Sequence, residues 1–209
     1  MKKYETLTKI GKEKIIAIIR VSDENQAEKA MAALLDGGLA CAELTFTTPF
    51  AHRIIEKLSR AYAGAGLLLG AGSVLDSETA RIAILSGAEY LVTPALNTDV
   101  IRLANRYGIP VFPGTVTPTE ALAALEAGAD VVKLFPAGQF KPSVIKDIKA
   151  PLPNLEIVPT GGIGVKNIKE WIDAGAFACG VGGSLFSGLK EGDYKQITQN
   201  AKELKGALK

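Results

Sequence analysis

The sequence predicts an α/β fold, a (β/α)8 TIM barrel, as a single domain over residues 1–209 with an N-terminal helical extension. Three observations point there. Short apolar runs alternate eight times with stretches of helical period. A glycine closes most of those helices just before the next run. Polar residues gather at the C-terminal ends of many runs, not after the first alone. An open doubly wound sheet also alternates strands and helices. The even size of the units and the spread of polar ends favour the barrel.

In chain order, the strands are expected at 15–20, 42–46, 67–70, 90–93, 110–113, 131–135, 156–160 and 178–182. Each is short, rich in branched apolar residues and bounded by turn formers. Helical periodicity places helices at 24–35, 51–61, 77–85, 99–106, 119–127 and 166–173, with a shorter one at 140–150 closed by Pro151 and Pro153. Asp23, Asp76 and Thr117 are N-cap candidates, and Glu120 makes a capping box with Thr117. Gly38, Gly66, Gly87, Gly108, Gly128 and Gly175 are the helix stops. Gly87, Gly108 and Gly128 recur at about 20 residues, as stacked helix–strand units would. Residues 194–208 read as a Lys-rich structural helix with an apolar stripe, and Trp171 as a packing residue.

Composition narrows the function. The chain is 47% hydrophobic and 22% charged with net charge +2, and it has no basic block or aromatic–basic interleaving, which argues against a nucleic-acid partner. No stretch approaches the roughly 18 apolar residues of a membrane span. Met1–Gly11 lacks the apolar run of a signal peptide. Cys41 and Cys179 each lie beside an apolar segment, so both read as buried thiols in a reducing cytoplasm. In a barrel they sit on strands flanking the first, near 10 Å apart, beyond the roughly 7 Å reach of a disulfide.

Two charged residues interrupt strands. In Val131–Phe135, alternation puts Val131, Lys133 and Phe135 on one side and Val132 and Leu134 on the other. In the second strand, Glu43, Thr45 and Thr47 face opposite to Ala42, Leu44 and Phe46, whose apolar face suits packing under helices. Lys133 and Glu43 therefore enter the barrel interior. A buried ammonium must reach water, pair with a carboxylate or stay neutral. The pair is either a structural ion pair or an amine nucleophile with a carboxylate proton shuttle. The Thr, Pro and Gly residues gathered at the same end favour the second.

Late glycine-rich turns supply an anion site. Thr160-Gly161-Gly162-Ile163-Gly164 precedes a helix expected near Val165, and Gly180-Val181-Gly182-Gly183-Ser184 follows the last strand. Glycine admits close backbone approach, and loops after strands seven and eight often hold phosphate in such barrels. His52, the only histidine, has Glu56 four residues on and reads as a helix-surface residue. A His-rich metal site is thereby excluded, and no metal or other cofactor is expected.

These segments resemble the bacterial 2-keto-3-deoxy-6-phosphogluconate (KDPG) / 2-keto-4-hydroxyglutarate (KHG) aldolase family. The matching pieces are Glu43-Leu44-Thr45-Phe46-Thr47, Gly70-Ala71-Gly72-Ser73-Val74, Pro113-Gly114, Val132-Lys133-Leu134-Phe135-Pro136, Pro159-Thr160-Gly161-Gly162-Ile163 and Gly182-Gly183-Ser184, in order over nearly the whole chain. The resemblance implies a metal-free, homotrimeric class I aldolase in which Lys133 forms a Schiff base with the C2 keto group and Glu43 moves protons. It implies that Phe135 and Pro94 wall the pyruvate end, that Ser73 and Thr160 hydrogen-bond the substrate, and that Gly161, Gly162, Gly183 and Ser184 hold a distal phosphate. Some family members carry an arginine on the substrate carboxylate where this chain has Thr47, and Arg20 is the cation available here instead. The implied reaction is cleavage of KDPG to pyruvate and glyceraldehyde 3-phosphate, or of KHG to pyruvate and glyoxylate, with the galactonate epimer of KDPG as an alternative substrate. From the residues alone, a phosphosugar-binding barrel of another reaction class and a catalytically silent assembly subunit stay open.

Overall fold

Helix and strand alternate along the chain because each apolar run is bracketed by a local stop. The structure is a computed structural model that describes residues 2–209 and leaves Met1 outside them. Helix α1 (Lys2–Glu13) leads into β1 (Ile15–Ile19), α2 (Glu24–Asp36), β2 (Cys41–Thr45), α3 (Ala51–Ala61) and β3 (Leu68–Gly72). There follow α4 (Ser77–Leu85), β4 (Leu91–Val92), α5 (Thr98–Arg106), β5 (Val111–Phe112), β6 (Gly114–Thr115) and α6 (Pro118–Glu126). The chain continues through β7 (Val131–Leu134), a 3-10 turn (Ala137–Gln139), α7 (Val144–Lys149), β8 (Glu156–Pro159), α8 (Ile168–Asp173), β9 (Cys179–Val181) and α9 (Tyr194–Gly206).

The caps act as their residue types require. Asp23 accepts from the Gln26 N–H and Asp76 from the Thr79 N–H, while Thr117 and Glu120 form the reciprocal capping box. Gly38, Gly66, Gly87, Gly108, Gly128 and Gly175 all have positive φ, the left-handed turn that ends a helix.

The strands form two parallel sheets, one of six in the order β5-β4-β3-β2-β1-β9 and one of three in the order β6-β7-β8. The first strand thus lies between the second and the last, and this half-barrel curves around a common interior. Only Pro113, which has no N–H to give a ladder, separates β5 from β6. An isolated parallel bridge, Thr160 to Gly180, links the ends of β8 and β9.

Strand alternation sorts the core into two clusters. Ile16, Cys41, Leu68, Tyr90, Val92, Phe112, Val131, Val158 and Ala178 fill the interior, closed from below by Ile10 of α1. The alternate residues, including Ala42, Leu44, Val132, Leu134 and Ile157, pack outward under the helices together with Trp171. Both sheet faces are buried, as parallel strands require. Truncating Leu44 to alanine would cost about 2–5 kcal/mol. Helix α9 docks on α2 through a close approach: a Cβ on Gly37 would stand 2.4 Å from the Ala201 Cβ.

Two helices begin later than their periodicity indicates. Helix α8 starts at Ile168 because the Gly164 N–H donates to Asn167 Oδ1 and Asn167 Nδ2 donates to the Gly162 carbonyl, which makes residues 162–167 a closed turn. Helix α7 starts at Val144, after Pro142. Cys41 and Cys179 are free and buried, and burial pushes both thiols up to about 12.

Candidate active site

The C-terminal strand ends open on a cavity of about 1150 Å³. Lys133 enters it from β7, between Gly114 and Val158 in register, and is 7% exposed. Its Nζ lies 4.8 Å from the centre of the Phe135 ring, a cation–π contact, and makes no hydrogen bond or ion pair among the described residues. Glu43 enters from β2, is 2% exposed, and its carboxylate likewise has no hydrogen-bond or ion-pair partner among the described residues. Burial raises the Glu43 carboxyl above its ordinary value, with Lys133 and Arg20 opposing that rise. A structural ion pair would bring the charges within contact. Both groups instead present themselves to the cavity.

The surrounding wall is cut to fit. Thr160 projects into space that only a glycine at 180 leaves free: a Cβ there would stand 2.3 Å from Thr160 Oγ1. Thr93 accepts from the Gly114 N–H and donates to the Ala95 carbonyl, which pins the Pro94 corner against β6. Ser73 lines the cavity with a left-handed backbone (φ 56°), a conformation costing a non-glycine residue about 1–2 kcal/mol.

At the far end, the N–H groups of Gly161, Gly162, Gly183 and Ser184 donate to no acceptor among the described residues. Gly161 (φ 95°) and Gly162 (φ 73°) need glycine's conformational freedom. Ser184 Oγ donates to the Ile163 carbonyl and so ties the two glycine turns together. Unbonded amides on glycine turns are the kind of donor that an oxyanion takes. The helix expected to begin near Val165 begins at Ile168 instead, beyond the turn.

Arg20, Glu43, Ser73, Pro94, Lys133, Phe135, Thr160, Gly161, Gly162, Gly183 and Ser184 all line this one cavity. Thr47 does not. It lies past the end of β2, where alternation stops, and its hydroxyl is bonded to Thr45 Oγ1 at 2.8 Å. Thr45 lines the cavity in its place, with the inward parity it shares with Glu43. The rim adds Lys166 and Asn167 from the turn before α8, and Phe186, Ser187, Leu189, Lys190 and Glu191 from the segment before α9. No pattern in the sequence marks those last residues. Among the described residues, no group of three or more His, Cys, Asp or Glu side chains is placed to hold a metal ion, and no helix is long and apolar enough to cross a membrane.

A family model described as KDPG and KHG aldolase matches residues 7–200. The chain belongs to that family. It is therefore an aldolase, an aldehyde-lyase. The 2-dehydro-3-deoxy-6-phosphogalactonate aldolase of Escherichia coli (strain K12) is 38% identical over 82% of this chain and 84% of its own. The 2-dehydro-3-deoxy-phosphogluconate aldolase of Treponema pallidum (strain Nichols) is 34% identical over 93% and 92%. A solved native KDPGal structure is 35% identical with a TM-score of 0.86, covering 92% of this chain and 93% of its own. The TIM-barrel-like fold and the aldolase family thus agree with the geometry of the cavity.

Proposed function

We propose that this aldolase works by the class I, Schiff-base route on a phosphorylated 2-keto-3-deoxy acid, releasing pyruvate and glyceraldehyde 3-phosphate. The observation that carries the reading is one cavity holding an unpaired amine, an unpaired carboxylate and, at its far end, free amides on glycine turns. The Lys133 amine adds to C2, and water leaves to give a protonated imine that withdraws electrons. The Glu43 carboxylate takes the C4 hydroxyl proton as the C3–C4 bond breaks, leaving the aldehyde and an enamine of pyruvate. Glu43 returns that proton to C3, and water hydrolyses the imine. A carboxyl raised by burial suits both halves of this exchange. Arg20, unpaired at the mouth, holds the substrate carboxylate; Ser73 and Thr160 hydrogen-bond its oxygens; Pro94 and Phe135 wall the pyruvate end.

The two glycine turns favour a phosphorylated substrate over KHG, which carries no phosphate. KDPG is the gluconate-type reading. Its C4 epimer, the galactonate-type acid, gives the same products and is favoured by one observation: relatives named for it are 38% and 40% identical to this chain. Pyruvate release from KDPG, its galactonate epimer and KHG, measured side by side, tests the proposal. Preference for either phosphorylated acid supports it, and turnover of KHG alone would remove the role given to the free amides.

We further infer that β5 and β6 act as one strand bent at Pro113, so that the two sheets make a single (β/α)8 barrel. Exposed Leu75, Ile82, Leu85, Tyr107, Val116 and Leu122 lie on or beside the consecutive helices α4, α5 and α6. An apolar surface of that extent suits burial against further copies of the chain in a homotrimer. Mass measurement by light scattering tests this. The free, buried thiols fit a cytoplasmic protein.

A further inference from the structure

Strand β3 turns an almost bare face to the barrel interior. Above Leu68, its inward residues are Gly70 and Gly72, and side chains from the strands on either side lean over them. The Tyr90 ring, just before β4, comes within 2.4 Å of where a Cβ on Gly70 would stand. The Glu43 carboxylate, from β2, comes within 2.5 Å (Oε1) and 2.9 Å (Cδ) of where a Cβ on Gly72 would stand. Glu43 has no hydrogen bond or ion pair among the described residues, so the shape of its surroundings, together with the longer-range pull of Lys133 and Arg20, sets its orientation. The bare backbone at Gly72 is one wall of that shape, and the Thr45 side chain lies alongside.

We propose that Gly72 is a positioning residue for proton transfer: its missing side chain is the space in which the Glu43 carboxylate lies, turned toward the cavity that Lys133 enters. This rests on the reading that Glu43 moves the protons of the aldol step. Alanine is a clean probe, because Gly72 is outside the left-handed region that disfavours other residues. The closest atoms that the new methyl meets are the far end of the Glu43 side chain, with the Thr45 methyl next at 3.3 Å. The fold can yield by letting Glu43 swing away. Activity cannot, since a displacement of about 1 Å at a reacting group costs on the order of 10²-fold.

The test is a cycle of Gly72→Ala, Glu43→Asp and the double variant. Each is measured for kcat, KM and borohydride-trapped labelling by pyruvate. Gly72→Ala should lower kcat by about 10²-fold with KM within a few-fold and labelling retained. In the double variant the shorter side chain no longer meets the methyl, so the two losses should fail to multiply. If Gly72→Ala does not fold, relief of that one clash should let the double variant fold. The proposal is overturned by unchanged kcat in Gly72→Ala, by losses that multiply, by labelling lost together with kcat, or by a double variant as misfolded as the single. Absence of labelling in the wild-type enzyme is a separate result, which would strike the Schiff-base reading itself.

Discussion

Replacing Glu43 by glutamine removes a charge while keeping the shape, and the structure sets the sign of both consequences. Burial raises the Glu43 carboxyl above the ordinary 4.5. Between that value and the raised one, the native protein keeps a proton that the unfolded chain has already lost. The native state then binds more protons, so stability falls as pH rises through the window and the deficit persists at higher pH. Glutamine has no such deficit. Glu43→Gln should therefore be more stable than the wild type at pH 8 and nearly equal to it below pH 4. Thermal melts of both proteins from pH 4 to 8 should diverge as pH rises, with the variant melting higher at pH 8. Over the same samples, kcat should fall by about 10²–10⁴-fold, the usual contribution of a positioned acid–base group. A variant no more stable than the wild type at pH 8 would mean that the buried carboxylate is compensated. A variant with full activity would make Glu43 a structural residue only.

Lys133→Arg keeps a cation on β7 that cannot lose its proton at accessible pH, so cleavage should vanish while far-UV circular dichroism stays unchanged; residual turnover near wild type would count against Lys133. Gly180→Ala places a methyl 2.3 Å from Thr160 Oγ1 and 3.2 Å from Ile18 Cδ1, so kcat/KM and Tm should both fall; overpacking of this kind costs about 1–3 kcal/mol. Unchanged values would show that Thr160 yields without consequence. Thr117→Ala removes half of a capping box that does not line the cavity and should lower stability by about 1 kcal/mol with kcat intact.

What was legible in the sequence followed from local rules. Six glycines marked helix ends because left-handed backbone excludes most other residues, and the structure has positive φ at each. Two-residue alternation turned Lys133 and Glu43 inward, and it sorted Val132, Leu134, Ala42 and Leu44 outward. The same alternation misplaced Thr47, because parity holds only while the strand continues and β2 ends at Thr45. The start of α8 was misread because Asn167 competes for the Gly164 N–H and the Gly162 carbonyl, a side-chain bond that periodicity does not reveal. The rim from Phe186 to Glu191 reaches the cavity through tertiary packing alone. The space that Gly72 leaves for Glu43 was equally hidden, since a glycine in a strand does not say which neighbour fills the gap.

The central claim is that Lys133 is the amine that bonds to the substrate. Borohydride reduction of the enzyme with pyruvate, followed by peptide mapping, tests it directly. The account predicts one reduced pyruvyl adduct per chain, on the peptide containing Lys133, and none in Lys133→Arg. An enzyme that turns over a phosphorylated keto acid yet takes no label, or takes it on another lysine, would contradict it.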